Sequence, residues 1–430
     1  MSATRTLVYL SMWMLFVTPG AGRLLGQGPL AVPVDGEPFA AQLLQISSDW
    51  KIHLRQPTGQ RVMSTADLVC WGTPRVPRNR SHVLLADGGL LIAQVVRLTG
   101  DHLVIRSDLW QETLLPLEAV RAILLQSPSD PLQRDRWLDR IQRSTGKHDT
   151  LYLKNQDTVE GVLVGLNGIS PERREPTFQM RSGGRSNPLM IPLKNVVAVS
   201  FNETLVRKPA MNKVRAEVGF RDGSWLHLQQ VSVVGQGLEC ELPGAIRIKT
   251  HAAQQSESQP GPWQQITVIR PRTDRVVYLG DLQPVDYKHI PFLDIQWPFH
   301  VDRNVLGGQL RVAERWYRRG IGMHSTARLA YNVPAGCDRF QAEVGIDDQA
   351  QRQGSVVFSL YLQKAGDDPS GGRWQRVAAS PVMRGGQAVQ KLNIRLQGAK
   401  RLALVVECAD QGDERDLANW LNPCFLRPAP

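Results

Sequence analysis

Cysteine is scarce in this sequence, which holds five in 430 residues. A chain of this length with so few cysteines is not a scaffold held together by disulfides, and no two of them stand at the spacing of a zinc site. One disulfide among the three in the C-terminal third, or buried free thiols throughout, are the alternatives that stay open. The five residues are Cys70, Cys240, Cys337, Cys408 and Cys424.

Long apolar runs are also missing, except for one at residues 7–17 (LVYLSMWMLFV). Arg5 precedes this run and the small residues of 20–22 follow it, a pattern typical of an export signal over residues 1–25. The run is shorter than the ~20 apolar residues of a spanning helix, which favours cleavage over retention as an anchor. We therefore expect a secreted, periplasmic or cell-envelope protein with no membrane span after cleavage.

Catalytic motifs are absent. The sequence contains no Gly-x-Ser-x-Gly, no His-Glu-x-x-His and no phosphate-cradling glycine loop. A glycosidase needs two carboxylates facing each other across a cleft, on a scaffold for which the predicted domains leave no room. The sequence therefore predicts a protein that is not an enzyme.

The charge is unbalanced towards the basic side. The chain has 51 Lys and Arg against 40 Asp and Glu, a net charge of +11, and 40 of the basic residues are Arg. Such a surplus attracts polyanions without selecting one, and the basic residues form no run of five or six. A solvated Arg-rich surface is the plainer interpretation, and no nucleic-acid motif accompanies the charge.

A weak internal repeat covers residues 36–270. Residues 115–123 (LPLEAVRAI) match residues 191–199 (IPLKNVVAV) in register, and each segment follows a strand-like opening that runs into a turn. Short strands with tight turns are typical of small antiparallel barrels, and these units resemble SH3-like or Sm-like barrels. The predicted units are a degenerate copy at 36–75 and fuller copies at 80–127, 147–205 and 212–270.

A single helix is predicted between the second and third units, in a connector over residues 128–146. Ser129 or Asp130 can cap it, and Pro131 suits its first turn. A second break at 251–263 is rich in Gln, Ser, Pro and Gly, which indicates a linker inside the last unit.

The C-terminal third resembles a known family. Residues 277–282 (VYLGDL), 317–325 (YRRGIGMHS) and 340–348 (FQAEVGIDD) are similar to motifs of the NPCBM carbohydrate-binding modules, found beside glycoside hydrolase family 98 catalytic domains. Residues 416–420 (DLANW) resemble the closing motif of that family. The resemblance covers 276–428 and implies a galactose-binding-like jelly-roll β-sandwich. The whole chain is therefore predicted to be all-β, with tandem small barrels before the sandwich.

Sugars are bound by aromatic rings that pack against their apolar faces and by polar side chains that bond their hydroxyls. In a sandwich these groups are expected on the loops at the rim. Packing in the core is the alternative for the tryptophans, and a backbone hydrogen bond that fixes a turn is the alternative for His324. The predicted ligand-binding residues are Trp316, Tyr317, His324, Asp347, Asp348, Arg352, Trp374 and Trp420, with Trp297 and His300 as further candidates.

No cofactor is predicted, although Asp347 and Asp348 are weak candidates for Ca²⁺ ligands. A turn in which an Asp bonds its own backbone is the other interpretation of this pair.

Two functions follow as hypotheses. The first is an exported carbohydrate-binding protein whose partner is a polysaccharide or glycoconjugate, and the basic surplus would suit an acidic one. The second is a structural or protein-interaction component of the cell envelope without sugar binding. Neither hypothesis includes a nucleic-acid partner.

Overall fold

The computed structural model shows an all-β chain with one α-helix. It describes residues 28–77, 80–167, 175–183, 187–252, 261–291, 294–364, 373–410 and 412–429. The predicted export signal at residues 1–25 and most of the predicted linker at 251–263 lie outside these ranges. Within them, no helix combines the length and the apolar composition needed to cross a bilayer.

The four N-terminal units share one plan, which agrees with the predicted small barrels. In each, a short 3-10 helix precedes a closing strand, and the closing strand pairs antiparallel with the first strand of the unit. The chain thereby curls back on itself around an apolar interior to which all four units contribute.

Barrel 1 begins at Leu30, earlier than the predicted residue 36, because Ala31 of its first strand pairs with Trp71 of its closing strand. Its elements are β1 (Leu30–Pro33), β2 (Phe39–Ala40), β3 (Gln42–Ile46), β4 (Lys51–Gln56), β5 (Gly59–Ser64), a 3-10 helix (Thr65–Asp67) and β6 (Leu68–Gly72).

Barrel 2 opens with the predicted hairpin. Gly88 has a φ of 88° at the turn, and the Gly89 N–H donates to Asp87 Oδ1 at 2.7 Å. Its elements are β7 (His82–Leu85), β8 (Leu90–Ile92), β9 (Gln94–Leu98), β10 (His102–Arg106), β11 (Thr113–Pro116), a 3-10 helix (Leu117–Ala119) and β12 (Val120–Leu124).

The predicted helix is α1 (Pro131–Gln142), and Asp130 caps it by accepting hydrogen bonds from two backbone N–H groups of its first turn. Leu138 and Ile141 pack on the closing strand of barrel 2. Asp135 Oδ2 accepts a hydrogen bond from Gln309 N at 3.0 Å, so the helix also contacts the C-terminal domain.

Barrel 3 repeats the closing segment of barrel 2. Pro116 and Pro192, which lead into the two 3-10 helices, have the same dihedral angles, φ −57° and ψ 133°. Its elements are β13 (Asp149–Leu153), β14 (Thr158–Asn167), β15 (Thr177–Arg181), β16 (Leu189–Pro192), a 3-10 helix (Leu193–Asn195) and β17 (Val196–Ser200).

Barrel 4 completes the set. Its elements are β18 (Ala216–Phe220), β19 (Trp225–Leu228), β20 (Gln230–Val234), β21 (Gly237–Leu242), β22 (Ile246–Lys249), a 3-10 helix (Pro262–Gln265) and β23 (Ile266–Pro271).

The closing strands join the barrels in pairs. β12 pairs with β17, which fuses barrels 2 and 3, and β6 pairs with β23, which fuses barrels 1 and 4. Trp225 of β19 pairs with Leu90 of β8 and connects the two halves. We call the resulting unit the barrel block.

The C-terminal domain consists of two stacked antiparallel sheets, the predicted β-sandwich, with Trp420, Phe358 and Phe340 fully buried between them. Its strands are β24 (Val276–Tyr278), β25 (Asp286–His289), β26 (His300–Val301), β27 (Leu310–Val312), β28 (Arg315–Tyr317), β29 (Gly320–His324), β30 (Ala327–Asn332), β31 (Arg339–Ile346), β32 (Ser355–Gln363), β33 (Trp374–Ala379), β34 (Met383–Arg384), β35 (Gln390–Arg395), β36 (Arg401–Cys408) and β37 (Leu417–Leu426). Two further 3-10 helices span Leu279–Asp281 and Asp348–Ala350.

One sheet of the sandwich faces the barrel block, and we call it the barrel-side sheet. Its strands run in the order β26, β29, β37, β31 and β35, with β24 added beside β37. Tyr278, Cys424 and Leu426 of this sheet pack with Val34 and Val69 of barrel 1. The other sheet, the outer sheet, has the order β25, β30, β36, β32 and β33, with β34 added beside β32.

All five cysteines lie in described residues and all five are free. The disulfide that stayed open among Cys337, Cys408 and Cys424 is therefore absent. Cys240 and Cys424 are buried as small apolar side chains.

Candidate functional site

The outer sheet carries the exposed face of the sandwich, because the barrel block covers the opposite sheet. A cleft of about 300 Å³ crosses this face. It is lined by Lys288, Ile290, Thr326, Ala327, Arg328, Tyr361, Trp374, Ala403 and Val405.

The strand order separates the charged side chains of the cleft from the aromatic ones. Lys288 on β25 and Arg328 on β30 lie at one end of the cleft, and Tyr361 on β32 and Trp374 on β33 lie at the other. β36 runs between them and contributes a floor of small apolar side chains. Four strand spacings separate β25 from β33, roughly 19 Å. The cleft is therefore a shallow groove with cations at one end and aromatic rings at the other.

Alternation along β32 positions Tyr361. Phe358, Leu360 and Leu362 point into the core, so the residue between the last two points out of the sandwich. Trp374 opens β33 opposite Gln363 and is half-buried. The two rings thus stand on neighbouring strands of one sheet face, where they offer flat apolar surfaces to a ligand.

At the cationic end of the cleft, one of the two cations bonds a neighbouring carboxylate. Arg328 donates a hydrogen bond from Nη2 to Asp286, on the adjacent strand β25. Lys288 pairs in register with Arg328 and is exposed. Arg, Lys and the Thr326 hydroxyl supply hydrogen-bond donors to this end of the cleft.

A ring cluster at the sandwich rim supports the wall of the cleft. His324 stacks on Trp297 with ring centroids 4.8 Å apart and an interplanar angle of 8°, and His289 meets His324 edge-on at 6.0 Å. Ile290 and Thr326 stand next to this cluster in the chain and line the cleft.

His324 takes the backbone-bonding role that was the alternative to ligand binding. It is 4% exposed, its Nδ1 lies 2.9 Å from Ser325 O, and burial lowers the pKa of its imidazole. His300, the further histidine candidate, lies on β26 opposite Gly322, and burial lowers its pKa as well. Neither histidine lines the cleft.

Asp347 and Asp348 hold a hairpin instead of a cation. Asp347 is fully buried and accepts hydrogen bonds from Arg311 N, Gln349 N and Asn419 Nδ2. Asp348 accepts from the backbone N–H groups of residues 313 and 314, at 2.8 and 2.9 Å. The described residues contain no group of three or more His, Cys, Asp or Glu that could hold a metal ion beside this pair. The bond from Gln349 N is the turn-closing contact of the alternative interpretation.

The two other predicted tryptophans are structural, which corrects their assignment to the rim. Trp420 is fully buried between the sheets, edge-on to Phe358 with centroids 5.3 Å apart. Trp316 lies where the sandwich meets the barrel block, 3% exposed and edge-on to Trp225 at 6.4 Å. A ligand reaches neither ring, because other side chains already cover both.

Tyr317 and Arg352 also lie away from the cleft. Tyr317 packs with Leu310, Val312 and Leu421 on the barrel-side sheet, where burial raises the pKa of its phenol. Arg352 is exposed on the loop between β31 and β32. Of the predicted ligand-binding residues, Trp374 alone lines the cleft.

Sequence reasoning missed Lys288, Arg328 and Tyr361. The signal was present for Tyr361, because the apolar alternation of residues 356–362 leaves it as the aromatic side chain on the outward positions. No comparable signal marked Lys288, since strand β25 has four residues, Asp-Tyr-Lys-His, and no apolar alternation.

Comparison with known proteins supports the resemblance of the C-terminal third. Residues 275–426 match the family model of the NPCBM/NEW2 domain. A curated protein of Renibacterium salmoninarum named "Putative endo-alpha-N-acetylgalactosaminidase" is 34% identical over 124 residues, 29% of this chain. The chain spans 8% of the length of that relative.

Two solved structures that are similar to part of this chain contain modules named CBM51. The CBM51-2 and INT domains of Clostridium perfringens ZmpB with GlcNAc are 22% identical, with a TM-score of 0.31, and the match covers 47% of this chain and 40% of that one. A CBM51 of Clostridium perfringens GH95 with methyl-galactose is 22% identical, with a TM-score of 0.29, and the match covers 35% and 99%. The match of residues 275–426 to the NPCBM/NEW2 family model agrees with the resemblance predicted for the C-terminal third of the chain.

Proposed function

We propose that this chain is an exported, non-catalytic carbohydrate-binding protein that holds a glycan in the cleft of the outer sheet. The observation that carries the proposal is the NPCBM/NEW2 match over residues 275–426. The matched family is one of carbohydrate-binding modules, which supports a sugar-binding role for this domain, and the cleft is a concave feature on its exposed face.

The side chains of the cleft suit a sugar. Trp374 and Tyr361 can pack against the apolar face of a pyranose ring, and the donors of Thr326 and Lys288 can bond its hydroxyls. The cations at that end also suit a carboxylate or sulfate group, which fits a polysaccharide or glycoconjugate with acidic sugars. The proposed binding surface is therefore the sheet face beside the rim, and not the rim loops that the sequence predicted.

The lining of the cleft supports a binding role without hydrolysis. Glycoside hydrolysis uses a pair of carboxylates that flank the scissile bond. None of the described residues that line this cleft is Asp or Glu. The export part of the proposal rests on the signal-like pattern of residues 1–25.

The test is binding of the full chain to an array of neutral and acidic glycans, followed by calorimetry with the best ligand. Trp374→Ala and Tyr361→Ala should each weaken binding by roughly tenfold or more, because each removes a stacking surface. Val377→Ala is the matched control, since Val377 is exposed on the same strand and does not line the cleft.

Three outcomes discriminate between the alternatives. Loss of binding in Trp374→Ala with normal binding in Val377→Ala supports the cleft. Loss in Arg352→Ala with normal binding in Trp374→Ala returns the site to the rim. No binding to any glycan by the folded protein favours the structural or protein-interaction role in the cell envelope.

A further inference from the structure

A second charged surface lies on the barrel block, remote from the residues of the cleft. The segment that connects barrel 3 to barrel 4 carries four exposed cations within nine residues, Arg207, Lys208, Lys213 and Arg215. We call residues 207–215 the basic strap. None of its four cations forms an ion pair with any residue in the described ranges.

The basic strap borders two adjoining cavities. Arg207 and Lys208 line a cavity of about 720 Å³ between barrels 2 and 4. Arg215 lines a cavity of about 770 Å³ between barrels 1 and 4. Lys213 lines both, together with Gln229 and Glu241, so the two cavities form one continuous groove along the strap.

Most acidic side chains of this groove are already paired with other bases. Asp49 bonds Lys51 at 2.9 Å, and Asp87 Oδ2 lies 3.3 Å from His227 Nδ1. Glu241 lies 3.5 Å from Arg247. Among the acidic side chains that line the groove, Glu118 remains to offset the four cations of the basic strap. The groove therefore presents a surplus of positive charge.

We propose that the groove along the basic strap binds an anionic polysaccharide. The cations would contact carboxylate, sulfate or phosphate groups of the polymer. The amides of Asn212, Gln229 and Gln230 and the hydroxyls of Ser48 and Thr65 line the same groove and can bond sugar hydroxyls. This site is separate from the sandwich cleft and goes beyond the proposed function.

The lining disfavours the other polyanions. Single-stranded nucleic acid binds on exposed aromatic rings, but the aromatic residue of this groove, Trp50, is 5% exposed and its Nε1–H donates to Gln229 O. A membrane surface is flat, whereas these cations line a concave groove that suits a linear chain.

The experiment measures binding of the full chain to heparin and polygalacturonate at increasing salt, with neutral dextran as the uncharged comparison. The strap variant replaces Arg207, Lys208, Lys213 and Arg215 with Gln. The matched control replaces Arg97, Arg106, Lys154 and Lys400 with Gln, which removes the same charge from exposed positions that line neither cavity.

The strap variant should bind at least about tenfold more weakly at low salt, and the difference should shrink as salt screens the contacts. The control variant should bind as the parent protein does. An equal loss in strap and control variants would overturn the proposal in favour of net charge alone. A loss in Trp374→Ala together with parental binding by the strap variant would overturn the proposal and assign these polymers to the sandwich cleft. Tighter binding to single-stranded DNA or to anionic lipid vesicles than to heparin would overturn the polysaccharide assignment.

Discussion

Two buried carboxylates make the sandwich sensitive to pH at the scale of single residues. Burial raises the pKa of Asp347 and of Asp416 to about 6. An Asp in an unfolded chain has a pKa of about 3.9, so the folded state keeps these protons to higher pH. Their contribution to stability is full below about pH 4 and is lost as the pH rises through about 6.

Asp416→Asn should make the unfolding free energy depend less on pH. The amide keeps a partner for Ser325 and Ser355 but does not titrate. The unfolding free energy from urea titrations should therefore fall less between pH 4 and pH 7 than in the parent, by on the order of 2 kcal/mol. Asp101→Asn, at an exposed site, should keep the parental slope. An unchanged slope in Asp416→Asn would contradict the assignment.

The tryptophans show what residue type alone could predict. Trp374 follows Gly and Arg at the start of a strand and lines the cleft. Trp316 also follows an Arg and Trp420 follows an Asn, yet the barrel block buries Trp316 and strand direction buries Trp420. The chemistry of a side chain is local, whereas its exposure depends on contacts distant in sequence.

At the scale of elements, β29 depends on close backbone contact. An added Cβ at Gly322 would lie 2.4 Å from Val305 N and 2.5 Å from Asn304 C. A methyl group there would push the 303–305 loop away from the strand. Gly322→Ala should therefore lower the unfolding free energy by about 1–3 kcal/mol in a thermal or urea titration.

Gly100→Ala is the control for this prediction. Nothing lies within 4 Å of the position where its Cβ would stand. This variant should stay within about 0.5 kcal/mol of the parent. If the two variants behave alike, the glycine of β29 is not needed for close packing.

The repeated elements were predictable because their signals are local. Pro116 and Pro192 adopt the same dihedral angles before the same 3-10 helix and closing strand. The pairing of those closing strands across barrels was not predictable, since an open strand edge carries no mark of its partner. The early strand at Leu30 was missed for the same reason.

At the scale of the whole molecule, the barrel block and the sandwich share a buried ion network. Glu217 of barrel 4 lies 3.3 Å from Arg270 and 3.0 Å from Arg319 of the sandwich. Arg319 also contacts Asp281 at 2.8 Å and Asp302 at 3.3 Å. The motif at residues 317–325 predicted a place in the sandwich, but no feature of the motif indicated that Arg319 bonds a barrel.

Burial opposes the charge of Glu217, but Arg270 and Arg319 outweigh it and lower the pKa of this carboxyl to about 2. A Glu in an unfolded chain has a pKa of about 4.3. The stabilisation by Glu217 is thus present above that value and is lost as the pH falls towards 2. The junction between the two domains should therefore weaken in acid and keep its stability at neutral and mildly alkaline pH.

Glu217→Gln tests this junction at neutral pH. The variant leaves Arg270, 4% exposed, without its carboxylate and should cost about 3–5 kcal/mol. Because the loss falls at the interface, calorimetry should show the barrel block and the sandwich unfolding in separate transitions.

Glu239→Gln is the control, since Glu239 pairs with Lys249 at the surface, 3.0 Å apart, and such pairs contribute about 0–1 kcal/mol. A Glu217→Gln protein no less stable than the control would show that the remaining contacts, such as those of Val34 and Val69, hold the domains together without Glu217.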